Sequence, residues 1–249
     1  MNKMIINRLL KISLIILSLV FIFFSIFQDI LYIDLTSTLL LVVFTILYVR
    51  QKKAIKKQKP YFLLFLIFFG LSEFIALLSN FVDMYIGSID YTYYIGNIFF
   101  MLAYFFLILR CVLTMRFKKI LKNFPVTIII LIVLSIFCVT LITETAQNQL
   151  SAYEYITEFL YNVVIMTLLS VALINYMDKS DNKSILFLIG CMLIFFSEML
   201  QLAYYYIEDL PHLAAIYSFF MVLAFGFFYS QACLKHEKQP EFNFLDYKS

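Results

Sequence analysis

"LIFFGLSEFIALL" at residues 66–78 and "LIFFSEMLQLA" at residues 193–203 are two apolar runs of nearly the same wording, each with a Ser-Glu pair in its middle. Whether such runs cross a membrane is decided by the rest of the chain. Of 249 residues, 63% are hydrophobic and 14% charged, and the mean hydropathy is +0.93. A soluble domain is about 45–50% apolar and about 25% charged. The composition therefore predicts an all-α, polytopic integral membrane protein. Trp is absent, which leaves the 18 Tyr to supply the interfacial aromatic belt. With 5 Gly in the chain, loops are expected to be short.

A span needs about 20 predominantly apolar residues. Eight such stretches are present: 10–27, 31–49, 61–80, 93–114, 125–143, 156–177, 184–206 and 211–233. Lys3, Arg8 and Lys11 precede the first, as in a signal peptide, but no small-residue cleavage motif follows, so it is read as a span. Charge tests the count. With eight spans, all 19 Lys and Arg fall on one side, which is the positive-inside pattern without exception. The expectation is a cell (inner) membrane protein with both termini cytoplasmic. Its transmembrane domain is residues 1–234, followed by a polar cytoplasmic tail, 235–249. The runs "RQKKAIKKQK" (50–59) and "RFKKILKNF" (116–124) are read as topology determinants on solvated loops rather than as anionic-lipid sites.

Glu73 and Glu198 are 125 residues and four spans apart, and both spans run outward from the cytoplasm. Each Glu is roughly 18–20 Å along its helix at about 1.5 Å per residue. Matching depth in like-oriented spans predicts two parallel four-helix repeats, about 1–123 and 124–234, with a site at their interface.

A charged group in the bilayer core is costly, and an ionisable residue there is a functional candidate by default. Loss of water favours the neutral form of a carboxyl group, and a protonated acid in a dry cavity is a competent general acid. Two facing carboxyl groups can divide the work, one donating a proton and one activating water. The residues do not say which does which. The simpler reading is that each Glu joins helices through a hydrogen bond, worth about 0.6 kcal/mol on average.

Other polar side chains share these helix faces. Asn80 follows Glu73 by seven and Gln201 follows Glu198 by three. Gly96, Phe100 and Tyr104 form a stripe with Asn97 beside it, and Glu158, Tyr161 and Asn162 form another. Ser72-Glu73 and Ser197-Glu198 are expected to face one polar cavity with Asn97, Tyr104 and Asn162 in its lining. His212 and His236 are the only histidines and fall on opposite faces, with His212 read as interfacial. The four Cys lie in apolar segments without metal-type or C-x-x-C spacing, so neither a disulfide framework nor a metal is expected. No phosphate loop, Ser-His-Asp set or nucleic-acid motif is present.

In order and spacing these stripes resemble the YhhN-like lysoplasmalogenase family of eight-span membrane proteins. That family has an acidic residue after a small one in span 3 and G-x-x-x-F-x-x-x-H-x-x-Y in span 4. It also has G-x-x-x-x-x-x-S-D in span 7 and a Gln ending span 8. Here Ser72-Glu73 stands for the first, while Gly96 and Phe100 are kept with Tyr104 at the His position and Leu107 at the Tyr. Gly190, Ser197 and Glu198 match the third with Glu for Asp; Tyr161 and Ala172 match in span 6 and Gln231 in span 8. The likeness covers residues 61–233. The family's Lys-Pro near span 2 has no counterpart at "TSTLLLVV" (36–43).

The resemblance implies cleavage of the vinyl ether bond of lysoplasmalogens to an aldehyde and a glycerophospho-alcohol, without a cofactor. Glu73 and Glu198 would be catalytic, with Asn97, Tyr104, Tyr161, Asn162 and Gln231 binding substrate. Membrane lipids, with a lysophospholipid as substrate, are the expected partners. The lost Lys and His keep a second reading open, a catalytically silent relative with a lipid-binding or sensor role. A proton-coupled transporter is the weaker third, since Gly and Pro are scarce for broken helices.

Overall fold

The protein is described by a computed structural model covering residues 2–52, 60–86, 89–208 and 210–234. The C-terminal tail and most of the first basic run lie outside the described residues. The elements in chain order are α1 (Asn2–Phe27), α2 (Ile30–Lys52), α3 (Tyr61–Ser79), β1 (Tyr85–Ile86), β2 (Ile89–Asp90), α4 (Tyr91–Val112), α5 (Phe117–Asn123), α6 (Pro125–Ala146), α7 (Ala152–Lys179), α8 (Asn182–Tyr206) and α9 (Pro211–Cys233). Among the described residues eight helices, all but α5, are long and apolar enough to cross a membrane. The chain is an all-α polytopic membrane protein.

Local chemistry places the helix ends. Pro125 and Pro211 open α6 and α9, where a missing N–H costs nothing. Ser151 and Glu154 form a capping box on α7, and Asp181 and Ser184 form one on α8. Between α7 and α8 the chain reverses at Ser180, a non-glycine residue at φ 47°. Asp90 ends a two-residue antiparallel hairpin and caps α4, accepting from the N–H groups of Thr92 (2.8 Å) and Tyr93 (3.3 Å). Part of the second basic run, read above as loop, forms the short helix α5, tied to the end of α7 by Lys119–Asp178 at 3.7 Å.

Helix neighbours run α1–α2–α3–α4–α7–α8–α9 and back to α1, closing a ring, while α6 stands outside it against α7. α3 and α8 are thus on opposite sides of the ring. In lipid the tails are as apolar as the helices, so packing quality rather than water exclusion holds such a bundle together. Aromatic rings supply much of that packing here. Phe65 stacks on Phe225 at 5.4 Å and meets Phe228 edge-on at 5.7 Å, and Phe69 meets Phe225 at 5.0 Å. Gly190 lets α9 approach α8: a Cβ there would lie 2.5 Å from the Phe228 ring, which is itself fully buried. Outward, α1 and α6 expose Ile16, Leu19, Ile129, Val133 and Ile136, as lipid-facing surfaces do.

Candidate functional site

Both Ser-Glu pairs are built the same way. Ser72 donates to the Gly96 carbonyl of α4 at 2.8 Å, and Ser197 donates to the Tyr217 carbonyl of α9 at 2.7 Å. Each serine pins its helix to the next one in the chain and so fixes the helix rotation that aims the following glutamate. The Ser72 hydroxyl lies 3.5 Å from where a Cβ on Gly96 would sit, an ordinary packing distance.

The glutamates then meet different partners. Glu198 is buried and accepts two phenolic hydroxyls, from Tyr104 on one oxygen and from Tyr161 on the other at 2.8 Å. Glu73 is bonded to Ser37 of α2, whose hydroxyl oxygen lies 2.5 Å from Glu73 Oε2 and 3.1 Å from the Asp34 carbonyl. Asp34 in turn accepts from the Asn80 side chain at 2.7 Å. Glu158 accepts from the Tyr93 hydroxyl at 3.3 Å.

Two cavities meet at these carboxyl groups. The smaller, about 150 Å³, is lined by Asp34, Ser37 and Phe69 and by both Glu73 and Glu198. The larger, about 390 Å³, is lined by Ser72, Tyr93, Asn97, Glu158, Asn162 and again Glu198. Phe100, Gln201 and Tyr205 also border both, so Glu198 sits on the partition between them. No Lys or Arg lines either cavity.

Of the residues singled out in the sequence, Tyr161, Asn97 and Asn162 line the larger cavity. Asn97 donates to the Tyr93 carbonyl at 2.8 Å, and Asn162 reaches Thr143 of the outlying α6 at 3.2 Å. Tyr104 is fully buried and touches the site through Glu198. Gln231 lines neither cavity; it lies in the last turn of α9, buried, with its Oε1 unpartnered. Asn80 serves Asp34 and not Glu73. Sequence reasoning missed Ser37 and Asp34, polar residues inside the second span. The signal was present: three hydroxyl residues in a row, Thr36-Ser37-Thr38, behind an acid inside an apolar helix.

Among the described residues no group of three or more His, Cys, Asp and Glu side chains is arranged to hold a metal ion. Comparison of the chain with protein-family models, with curated proteins and with solved structures finds no match.

Proposed function

We propose that the protein is a membrane-embedded hydrolase of lipid vinyl ether bonds, working as its likeness to the YhhN-like lysoplasmalogenases implies. The observation that carries this reading is that Glu73 and Glu198, from opposite sides of the ring, line one cavity. The adjoining space of about 390 Å³ falls in the size range of small-molecule sites, roughly 300–1,000 Å³.

Hydrogen-bond counting divides the roles. Glu198 accepts on both oxygens from hydroxyls, which suits a carboxylate. Ser37 has one hydroxyl hydrogen and two oxygen neighbours, the Asp34 carbonyl and Glu73. Both contacts are full hydrogen bonds when Glu73 carries a proton and donates it to Ser37, which then donates to Asp34. In this reading Glu73 is the acid. It delivers its proton to the β-carbon of the vinyl ether, and the resulting oxocarbenium ion is stabilised by the Glu198 carboxylate. Water adds to the cation and loses a proton to Glu198, giving a hemiacetal. Breaking the hemiacetal C–O bond, with the hydroxyl proton passing to the leaving oxygen, yields aldehyde and alcohol. Proton return from Glu198 to Glu73 restores the site. The protein itself lies in the cell (inner) membrane with both termini cytoplasmic and the cavities in the outer half.

One observation favours the silent, lipid-binding alternative. Tyr104 stands where the family pattern has His, and its only hydroxyl hydrogen is given to Glu198. Aldehyde release by purified protein from vinyl ether lysophospholipids, with saturated ether lipids as controls, decides between the two. Release from the vinyl ethers alone supports the hydrolase. None, across several head groups and chain lengths, leaves the silent relative.

A further inference from the structure

The other end of the bundle holds a second polar cluster, of the opposite sign. Arg110 in the last turn of α4 lies over the Phe62 ring, 5.3 Å from its centre, and its Nη1 is buried with no hydrogen-bond partner among the described residues. Lys183 in the first turn of α8 is 8% exposed and has no hydrogen bond or ion pair among the described residues. Lys179 at the end of α7 reaches Thr114 at 2.7 Å. Lys183 is within electrostatic reach of the cations Arg110 and Lys179 and of one carboxylate, Asp181.

The groups around these cations do not satisfy them. Tyr48 from α2, Cys111 from α4 and Cys191 from α8 face Arg110, and all three are neutral in their ordinary state. Asp178 and Asp181 face Lys179. Asp178 pairs with Lys119, and Asp181 caps α8 by accepting from the Ser184 N–H at 2.7 Å. A buried guanidinium N–H with an unmade hydrogen bond, beside a second cation whose ammonium is half-buried, is costly unless an acceptor completes it. The guanidinium fork matches phosphate oxygens, and an ammonium adds a point charge.

We propose that this end of the bundle is a phosphate-binding site, with Arg110 and Lys183 as its direct ligands and Lys179 at its rim. The ligand is a phosphate group carried either by a lipid headgroup or by a soluble compound. The site is independent of the glutamate cavities and of any ether hydrolysis there.

The test uses the full chain, purified in a neutral detergent and in nanodiscs. Inorganic phosphate and pyrophosphate are titrated at constant ionic strength against chloride. In parallel, phosphatidylcholine nanodiscs are compared with and without phosphatidic acid, using thermal midpoint and retained lipid by native mass spectrometry. A rise in midpoint with either phosphate source, absent with chloride, is expected. A response to the soluble anions identifies a soluble ligand, and a response to phosphatidic acid alone identifies a headgroup. Arg110→Gln and Lys183→Gln should each weaken the apparent Kd about tenfold or more, as loss of a charge-assisted hydrogen bond does. Lys118→Gln and Lys122→Gln, on the exposed face of α5, should leave it unchanged. If Arg110→Gln does not fold, the Lys183→Gln and Lys183→Met variants carry the comparison. No response to any phosphate source, an equal response to chloride, or undiminished binding in the folded variants overturns the proposal. So does binding that emerges only after deletion of residues 235–249, which would assign these cations to the chain's own C-terminal segment.

Discussion

Glu73 and Glu198 approach one cavity of about 150 Å³ from α3 and α8, and each follows a serine that pins its helix to the next helix in the chain. The serine bond is what turns a carboxyl group inward rather than toward lipid. A carboxyl exposed to acyl chains has no partner, while one in the cavity has Ser37 or the two tyrosines.

Removing the pins should therefore loosen the aim of the acids more than the fold. Ser72→Ala and Ser197→Ala are each expected to cost about 0.5–1.5 kcal/mol, the net worth of one hydrogen bond. Thermal denaturation in detergent measures this, and the double variant should show near-additive losses because the two sites are on different helix pairs. A loss confined to one of the two serines would mean that only that contact is made.

Glu73→Gln and Glu198→Gln should each abolish aldehyde release with folded yield nearly unchanged. Gln keeps the shape and one acceptor oxygen, but it neither delivers a proton nor holds a negative charge. If the pair were only interhelical glue, Gln would substitute without loss of function and could even stabilise. Size-exclusion profiles and turnover measured on the same preparations separate the outcomes.

The tyrosines make a sharper test of Glu198. Tyr104→Phe and Tyr161→Phe each remove one donor from a buried carboxyl group and should cost about 1.5–3 kcal/mol, the range for hydrogen bonds to charged groups. In a Glu198→Gln background the same change should cost less, about 0.5–1.5 kcal/mol, since the acceptor is neutral. A double-mutant cycle read by thermal midpoint checks it; equal costs in both backgrounds would argue against a carboxylate at this position.

Packing gives a prediction independent of chemistry. Gly190→Ala should destabilise by about 1–3 kcal/mol, the range for overpacking. Its new Cβ would meet the Phe228 ring, and that ring is held by Phe65 and Phe187 at 5.7 and 5.8 Å. Gly226→Ala in the adjacent helix has open space around its Cβ and should be neutral or stabilising by up to about 1 kcal/mol. Similar effects of the two would show that α8 and α9 do not approach so closely.

Orientation follows from charge. A reporter fused after Lys248 should be active only in the cytoplasm, because every Lys and Arg then lies on the inner side. Activity on the outer face would invert the topology and place the glutamate cavities toward the cytoplasm.

The sequence alone determined that this is a membrane protein, where its eight long helices run, and that two glutamates sit inside them. Those are local properties: hydropathy over about 20 residues, proline and capping residues at helix ends, and the cost of a carboxyl group in hydrocarbon. Tertiary structure decided the rest. That α4 packs on α7 while α6 stands outside the ring is written in no single helix, because a Leu- or Phe-rich face suits lipid and a neighbouring helix equally. For the same reason Ser37 shows no role within span 2 alone; with α2 beside α3 it is the partner of Glu73. Tyr104 and Tyr161 read as substrate-binding residues on two separate spans, and only the closure of the ring brought both hydroxyls to one carboxyl group. Gln231 went the other way: it shares a family position with the site residues, yet its place in the last turn of α9 puts it at the far end of the bundle. Arg110 and Lys183 lie 73 positions apart, and only their helices' packing brings the two cations within reach of each other.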